Sequence, residues 1–226
     1  MRINQYLAQA LGISRRAADK EIETGKVRIN TRKAVLGDQV QKGDKLTYQG
    51  KEVLTKSDSA ITIMLNKPEG YITSRKRDET KAPTVMELLP PEYQVLKPVG
   101  RLDKESCGLL LLTNDGDLLY KSTHPKFTVE KEYLVEFETP LSNTEISTWK
   151  KGMKLIDGIA KADSIVREGK QFRIVLHQGK NRQIRRMAGK TGNKVNFLMR
   201  VRTGDTKLGE LKTGEWKLIT KKSNER

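Results

Sequence analysis

Four consecutive leucines, Leu109 to Leu112, sit in a chain that is otherwise strongly polar. Only 35% of its 226 residues are hydrophobic and 32% are charged, so an unbroken apolar run has few places to go. It is too short to cross a membrane. It reads as a strand buried on both faces. Gly100 opens the segment and the turn pair Asp115-Gly116 closes it. Just ahead of the strand stands Asp103, on a glycine-entered loop with Arg101 and Lys104 beside it. A carboxylate there is held still without entering the core, as a catalytic group on a loop over a scaffold must be. From geometry alone, a turn or capping role is the commoner outcome for such an aspartate.

The remaining composition narrows the partners. A formal net charge of +16, spread along the chain, calls for nucleic acid or an acidic membrane surface. Nucleic acid fits better, and the excess is more than solubility asks. The single cysteine, Cys107, excludes an internal disulfide and suits a reducing cytoplasm. It abuts the apolar strand and is expected to pack rather than react. Only His124 and His177 are available as imidazole ligands, neither with a partner at metal-ligand spacing, so no metal site is expected. No apolar stretch follows the first basic residue, which predicts neither a signal peptide nor a membrane anchor.

Residues 1–60 read as a first domain with its linker. Ile3, Leu7 and Leu11 recur at helical spacing up to Gly12. Ser14 is placed to cap a second helix carrying Ala17, Ala18 and Ile22, stopped by Gly25. Alternation at Val27 and Ile29, then at Leu46 and Tyr48, predicts strands. Arg15, Arg16, Lys20, Lys26 and Arg28 cluster on the second helix and the strand after it; they make either a solvated face or a phosphate-gripping one. Lys51 to Ala60 reads as the linker.

Residues 61–226 form the second expected domain. Ile61, Ile63 and Leu65 alternate into a turn at Asn66-Lys67-Pro68-Glu69-Gly70. A helix is expected over Asp117–Thr123 and a strand over Thr128–Glu138 containing Tyr133, which by itself is ordinary sheet packing. Ser142 to Glu145 is a capping box for a helix carrying Ile146 and Trp149. In Gly179-Lys180-Asn181-Arg182-Gln183-Ile184-Arg185-Arg186-Met187, a helix at about 100° per residue puts Arg182, Arg185 and Arg186 on one arc. Ile184, Met187 and Ala188 fall opposite. Such arginines are commonly just solvated, yet after a glycine turn at a helix N-terminus they also make an anion site. Alternation at Val195, Phe197, Met199 and Val201 puts Arg200 and Arg202 on the other face of a late strand.

The string GRLDKESCGLLLLTNDG resembles the signature of bacterial pseudouridine synthases that modify single sites of ribosomal RNA. The Asn-Lys-Pro turn, Lys131-Glu132-Tyr133, the Gly179–Met187 string and the ending around Gly209, Leu211 and Gly214 to Trp216 resemble the same family. RINQYLAQALGISRRAADKEIETGKVRIN resembles the alpha-L RNA-binding module, with Gln5 where that module commonly has a lysine. The resemblance implies an α+β fold: a small RNA-binding domain, then a larger α+β domain with a mixed, mainly antiparallel sheet and a central basic cleft. It implies Asp103 as catalytic residue, Tyr133 stacking on or orienting the target uracil, and Arg185 paired with Asp103. Ile184 would wall the base, and Arg101, Asn66 and Lys67 would touch substrate. Lys180, Arg182 and Arg186, with the basic cluster of the first domain, would bind RNA phosphates.

Isomerising uridine to its carbon-linked form moves no electrons and adds no group, so a nucleophilic carboxylate suffices without cofactor or metal. The base must first leave its stack, at a cost of a few kcal/mol. The expected partner is ribosomal RNA, the large subunit favoured, or a ribosome-assembly intermediate, met by a monomer away from membranes. A non-catalytic RNA-binding or assembly protein is the alternative; the co-occurrence of Asp103, Tyr133 and Arg185 argues against it. A glycoside-cleaving enzyme would need a second carboxylate, and Asp115 and Asp117 read as turn residues.

Overall fold

The computed structural model of the chain describes residues 1–41, 43–54 and 60–219. Contacts divide it into two compact units, Met1–Ser59 and Ala60–Arg226. The first comprises α1 (Ile3–Leu11), α2 (Arg15–Glu23), β1 (Val27–Ile29), β2 (Arg32–Lys33), β3 (Leu46–Tyr48) and β4 (Lys51–Glu52). Gly12, at φ 68°, closes α1 in the left-handed conformation that suits glycine. The Ser14 hydroxyl accepts from the Ala17 N–H at 3.1 Å and starts α2. Ile3, Leu7, Ala18, Ile22, Val27, Ile29 and Leu46 then meet in one core under the sheet order β2-β1-β3-β4. The linker is shorter than the sequence suggested, because Lys51 and Glu52 pair with Tyr48 and Thr47. Its residues 55–59, like 220–226 at the end of the second unit, lie outside the described residues.

The second unit contains β5 (Thr62–Lys67), β6 (Lys97–Val99), β7 (Cys107–Thr113), α3 (Gly116–Thr123), β8 (Lys131–Phe137) and α4 (Asn143–Lys151). There follow β9 (Met153–Leu155), β10 (Gly158–Ala160), β11 (Ser164–Glu168), β12 (Gln171–Leu176), α5 (Gln183–Lys190), β13 (Val195–Thr203), β14 (Thr206–Lys207) and β15 (Trp216–Leu218). Its main sheet runs β11-β12-β8-β13-β7-β5-β15, with β14 on β13 and β6 on β7. Among the described strands of this sheet, only β13 and β7 pair in parallel. The sheet is mixed and mainly antiparallel.

Strand β7 is buried at all seven positions. Leu110 and Leu112 enter one core with Ile63, Leu65 and Leu96; Leu109 and Leu111 enter another with Met64 and Val99. Consecutive leucines therefore serve opposite faces, which is why no polar residue interrupts them. The same holds for β5. Its expected alternation is replaced by burial throughout, since Met64 is covered too. A third core gathers Phe137, Phe172 and Trp149, with ring centroids 5.6–5.7 Å apart in edge-to-face pairs. Trp149 reaches it from α4, whose capping box at Ser142 and Glu145 is formed.

Two strands depart from their sequence patterns. β8 begins at Lys131 rather than Thr128, which sits at φ 44° and cannot continue a strand. β13 carries irregularities between Val195 and Phe197 and between Arg200 and Arg202. They shift its alternation, so Leu198 and Arg200 are buried while Phe197, Met199 and Val201 are only partly covered. The parallel contact of β13 with β7 depends on Gly108, at φ 100°. A β-carbon there would stand 2.3 Å from the Arg200 carbonyl oxygen and 2.7 Å from its nitrogen. Cys107 packs as expected, its thiol donating to the Leu198 carbonyl at 3.6 Å, and burial pushes its pKa up to about 11.

Candidate active site

The loop from Arg101 to Ser106 leads into β7, and its backbone is gripped at every carbonyl. The Arg200 guanidinium donates to the Arg101 carbonyl at 3.4 Å. The Thr73 hydroxyl donates to the Leu102 carbonyl at 2.7 Å and accepts from the Leu102 N–H at 3.1 Å. The Lys67 ammonium donates to the carbonyls of Asp103 at 3.1 Å and Ser106 at 2.6 Å. Between them, the Gly70 N–H holds the Lys104 carbonyl at 2.8 Å, and Arg185 holds the Glu105 carbonyl at 2.7 Å. Six consecutive carbonyls thus have donors, supplied by the Gly70 N–H and by four side chains far away in the chain, Lys67, Thr73, Arg185 and Arg200. Among the described residues, nothing hydrogen-bonds or ion-pairs with the Asp103 carboxylate itself. Its backbone is immobilised while its carboxylate is left open.

Asp103 lines a cleft of about 590 Å³ within the second unit. Tyr133 and Ile184 line it as well, with five cationic side chains: Arg101, Lys131, Lys180, Arg182 and Arg200. Asp103 is the one carboxylate among the lining residues. Tyr133 lies half-buried on β8 opposite Ile174 and Arg200, where its ring packs on two of the cores. Ile184 is buried in the first turn of α5. Lys131 is desolvated, which lowers its pKa, with the nearby Arg200 charge acting in the same direction. Its ammonium donates to the Val129 carbonyl at 2.7 Å.

Several residues assigned to RNA or substrate are placed otherwise. Lys67 is fully buried and Asn66 nearly so, its amide donating to the Leu211 carbonyl at 2.7 Å. Neither lines the cleft; both donate to backbone carbonyls of the second unit. Burial lowers the Lys67 pKa from 10.5 to about 8, a cost the backbone carbonyls around it offset. Arg185 does not pair with Asp103. Its guanidinium reaches the carbonyls of Glu105 and Val195, the latter at 3.2 Å, and so fixes the loop two residues beyond.

The expected arc of three free arginines on α5 is also broken up. Arg182 precedes the helix in a left-handed conformation at φ 48° and meets the Glu105 carboxylate at 2.6 Å. That hydrogen bond holds the Glu105 carboxyl below its ordinary range. Arg186 forms a bidentate pair with Asp157 at 2.9 Å and lies outside the cleft lining. Lys180 lines the cleft, also within 3.9 Å of Asp157. In the first unit, Arg15, Arg16, Lys20, Lys26 and Arg28 are exposed. Lys26 pairs with Glu21 at 3.0 Å, and Arg15 donates to Asn4 at 3.3 Å.

Thr73 and Arg200 escaped the sequence reading. Thr73 had no signal at all. Regular alternation puts Arg200 on the face opposite Val195, Phe197, Met199 and Val201; with the irregularities of β13 it is buried and donates to the Leu109 carbonyl at 2.8 Å.

The family model for RNA pseudouridylate synthase matches residues 61–190, and that of the S4 domain matches residues 1–46. The dual-specificity RNA pseudouridine synthase RluF of Escherichia coli is 36% identical over 222 residues, covering 97% of this chain and 76% of the relative. The ribosomal large subunit pseudouridine synthase B of Xylella fastidiosa is 37% identical over 224 residues, covering 92% of this chain and 46% of its own. A crystal structure of a pseudouridylate synthase superposes with a TM-score of 0.69 at 29% identity, covering 97% of this chain and 96% of the other. With a cleft of this make-up in a matching fold and matches along nearly the whole sequence, the chain belongs to the RNA pseudouridylate synthase family.

Proposed function

We propose that this chain isomerises uridine to pseudouridine in ribosomal RNA, the large subunit favoured, with Asp103 as the nucleophile. The observation that carries the reading is the Arg101–Ser106 loop, in which every carbonyl is held while, among the described residues, the Asp103 carboxylate has no hydrogen-bond or ion-pair partner beside a cationic cleft. A nucleophile must be fixed in place yet free to bond, and preorganisation of this kind supplies much of catalysis. The carboxylate holds the substrate while the bond from ribose to ring nitrogen breaks. The base turns and rejoins through carbon 5; that carbon gives up a proton and the freed nitrogen takes one. No other atom enters or leaves.

The flipped base is placed between the Tyr133 ring and the Ile184 side chain, both of which line the cleft with Asp103. Arg101, Lys180 and Arg182 contribute positive charge for the flanking phosphates. Arg185 and Lys67 position the loop without touching RNA. In the first unit the exposed Arg15, Arg16, Lys20, Lys26 and Arg28 grip structured RNA by its backbone. The lone buried Cys107 fits work in a reducing cytoplasm, and among the described residues no helix is long and apolar enough to cross a membrane. The substrate is ribosomal RNA or an assembly intermediate, bound by a monomer.

The test is Asp103→Asn. Pseudouridine is mapped in ribosomal RNA from cells carrying the wild-type gene, the variant, or neither, and RNA affinity is measured on the purified proteins. The expected result is loss of one modification in both the deletion and the variant, with RNA affinity nearly unchanged. Retained modification by the variant removes Asp103 from its role. An unchanged map in the deletion strain leaves the non-catalytic RNA-binding reading.

A further inference from the structure

Only two of the chain's twelve aromatic residues, Tyr120 and Phe127, are exposed, and they lie together. Tyr120 is 48% accessible near the C-terminal end of α3, and Phe127 is 36% accessible in the short turn after it. Their ring centroids are 5.5 Å apart, edge to face, with His124 tilted against Tyr120 at 4.8 Å. The Lys126 ammonium stands 4.8 Å from the Phe127 centroid and 5.5 Å from that of Tyr120. None of these rings belongs to a hydrophobic core, so packing does not explain the cluster. Its position is informative. Ser122, Thr123, His124 and Thr128, interleaved with the rings in sequence, line the same cleft as Asp103.

We propose that Tyr120 and Phe127 form a stacking platform at the mouth of the cleft for an unpaired base flanking the uridine that enters it. The exposed Lys121 and Lys126 grip that nucleotide's phosphates. An aromatic face accepts any base, and a nearby ammonium supplies the charge that RNA requires. The chemistry matches a single strand better than a duplex, whose bases are already stacked on one another. The cluster is continuous with the cleft, so a strand whose target base lies in the cleft passes beside it. This inference rests on the reading that the cleft receives RNA.

The experiment uses the full chain with Asp103→Asn to prevent turnover. The probe is a single-stranded oligouridylate carrying one fluorescent adenine analogue whose emission is quenched on stacking. The unaltered platform should quench the probe. Tyr120→Ala with Phe127→Ala should relieve the quenching and weaken binding roughly tenfold, leaving the salt dependence of binding unchanged. Lys126→Gln should instead flatten the salt dependence. Tyr120→Phe with Phe127→Trp should restore quenching, which a purely structural role of these rings would not. Because both rings are exposed, denaturation midpoints should stay put in all variants. Equal quenching and affinity in the double alanine variant overturn the platform while RNA binding itself stands. Full loss of RNA binding in Lys180→Gln with Arg182→Gln, with the platform intact and no residual quenching, also overturns it as an independent contact. If the unaltered platform binds no RNA, the reading of the cleft fails first. If the alanine variants instead lose only a protein partner, the surface is a docking site and not this one.

Discussion

Replacing Lys67 by methionine separates stability from catalysis in a way the structure quantifies. The drop of the ammonium pKa from 10.5 to about 8 means that holding the charge inside the fold at neutral pH costs roughly 3 kcal/mol. Removing it recovers that amount. Against this, the carbonyl of Asp103 keeps the Ser106 N–H and that of Lys104 keeps the Gly70 N–H. The carbonyls of Pro68 and Ser106 bear the loss, at about 1–3 kcal/mol each when left unsatisfied. The two effects oppose each other, about 2–6 kcal/mol lost in sum against about 3 recovered, so the unfolding free energy should shift between a gain of about 1 kcal/mol and a loss of about 3 kcal/mol. Turnover has no such compensation. The tie from Lys67 to the Asp103 and Ser106 carbonyls disappears, leaving the Asp103 carbonyl only the Ser106 N–H within the loop, and a displacement of about 1 Å costs on the order of 100-fold in rate. Single-turnover pseudouridine formation on ribosomal RNA should fall by that factor, while RNA affinity stays within about twofold because Lys67 is buried. A several-fold loss of affinity at unchanged rate would refute the reasoning and return Lys67 to the RNA interface. The wild type carries a pH signature of the same clamp. Since the folded pKa lies below the unfolded one, the unfolded chain binds more protons between about pH 8 and 10.5. Through this group stability rises over that window, whereas turnover should fall above about pH 8 as the ammonium loses its charge.

Gly108→Ala should destabilise the chain by about 3 kcal/mol or more, measured by denaturant unfolding, because the new β-carbon meets the Arg200 backbone on the neighbouring strand. Wild-type stability would mean that β7 and β13 can separate freely. Tyr133→Phe should leave stability within about 0.5 kcal/mol, since the ring packs on both cores and its hydroxyl has no partner among the described residues. Any loss of rate then reports on the hydroxyl, and wild-type turnover shows that the ring alone matters. Arg185→Lys should keep the charge but lose the fork to Glu105 and Val195, slowing turnover at least tenfold with RNA affinity intact. Equal rates would show that the loop needs no brace there.

Much of the local structure was legible because its causes are local. Gly12 and Ser14 mark the end of α1 and the start of α2 through bonds spanning three or four residues. Ser142 and Glu145 cap α4 within one turn. The leucine run announced a strand covered on both sides, because its shortness and the turn signals that bound it favour a strand over a buried helix. The string around Asp103 and the matches at both ends carried the family. Misreadings gathered where a residue's neighbours come from elsewhere in the sequence. Nothing near Lys67 reveals that it is sealed beneath the Asp103 loop. The guanidinium arc of α5 looked free because Glu105 and Asp157, which engage Arg182 and Arg186, lie 77 and 29 residues away.

What the amino-acid order determined by itself was therefore the two-part α+β plan, the caps and turns, and the identity of the carboxylate at the head of the apolar strand. Tertiary structure alone decided which cations face the cleft and which serve as internal braces. Lys67, Thr73, Arg185 and Arg200 meet the loop across separations of 29 to 99 residues. Whether a basic side chain meets RNA or a backbone carbonyl depends on what the folded sheet brings against it. Composition and spacing do not record that.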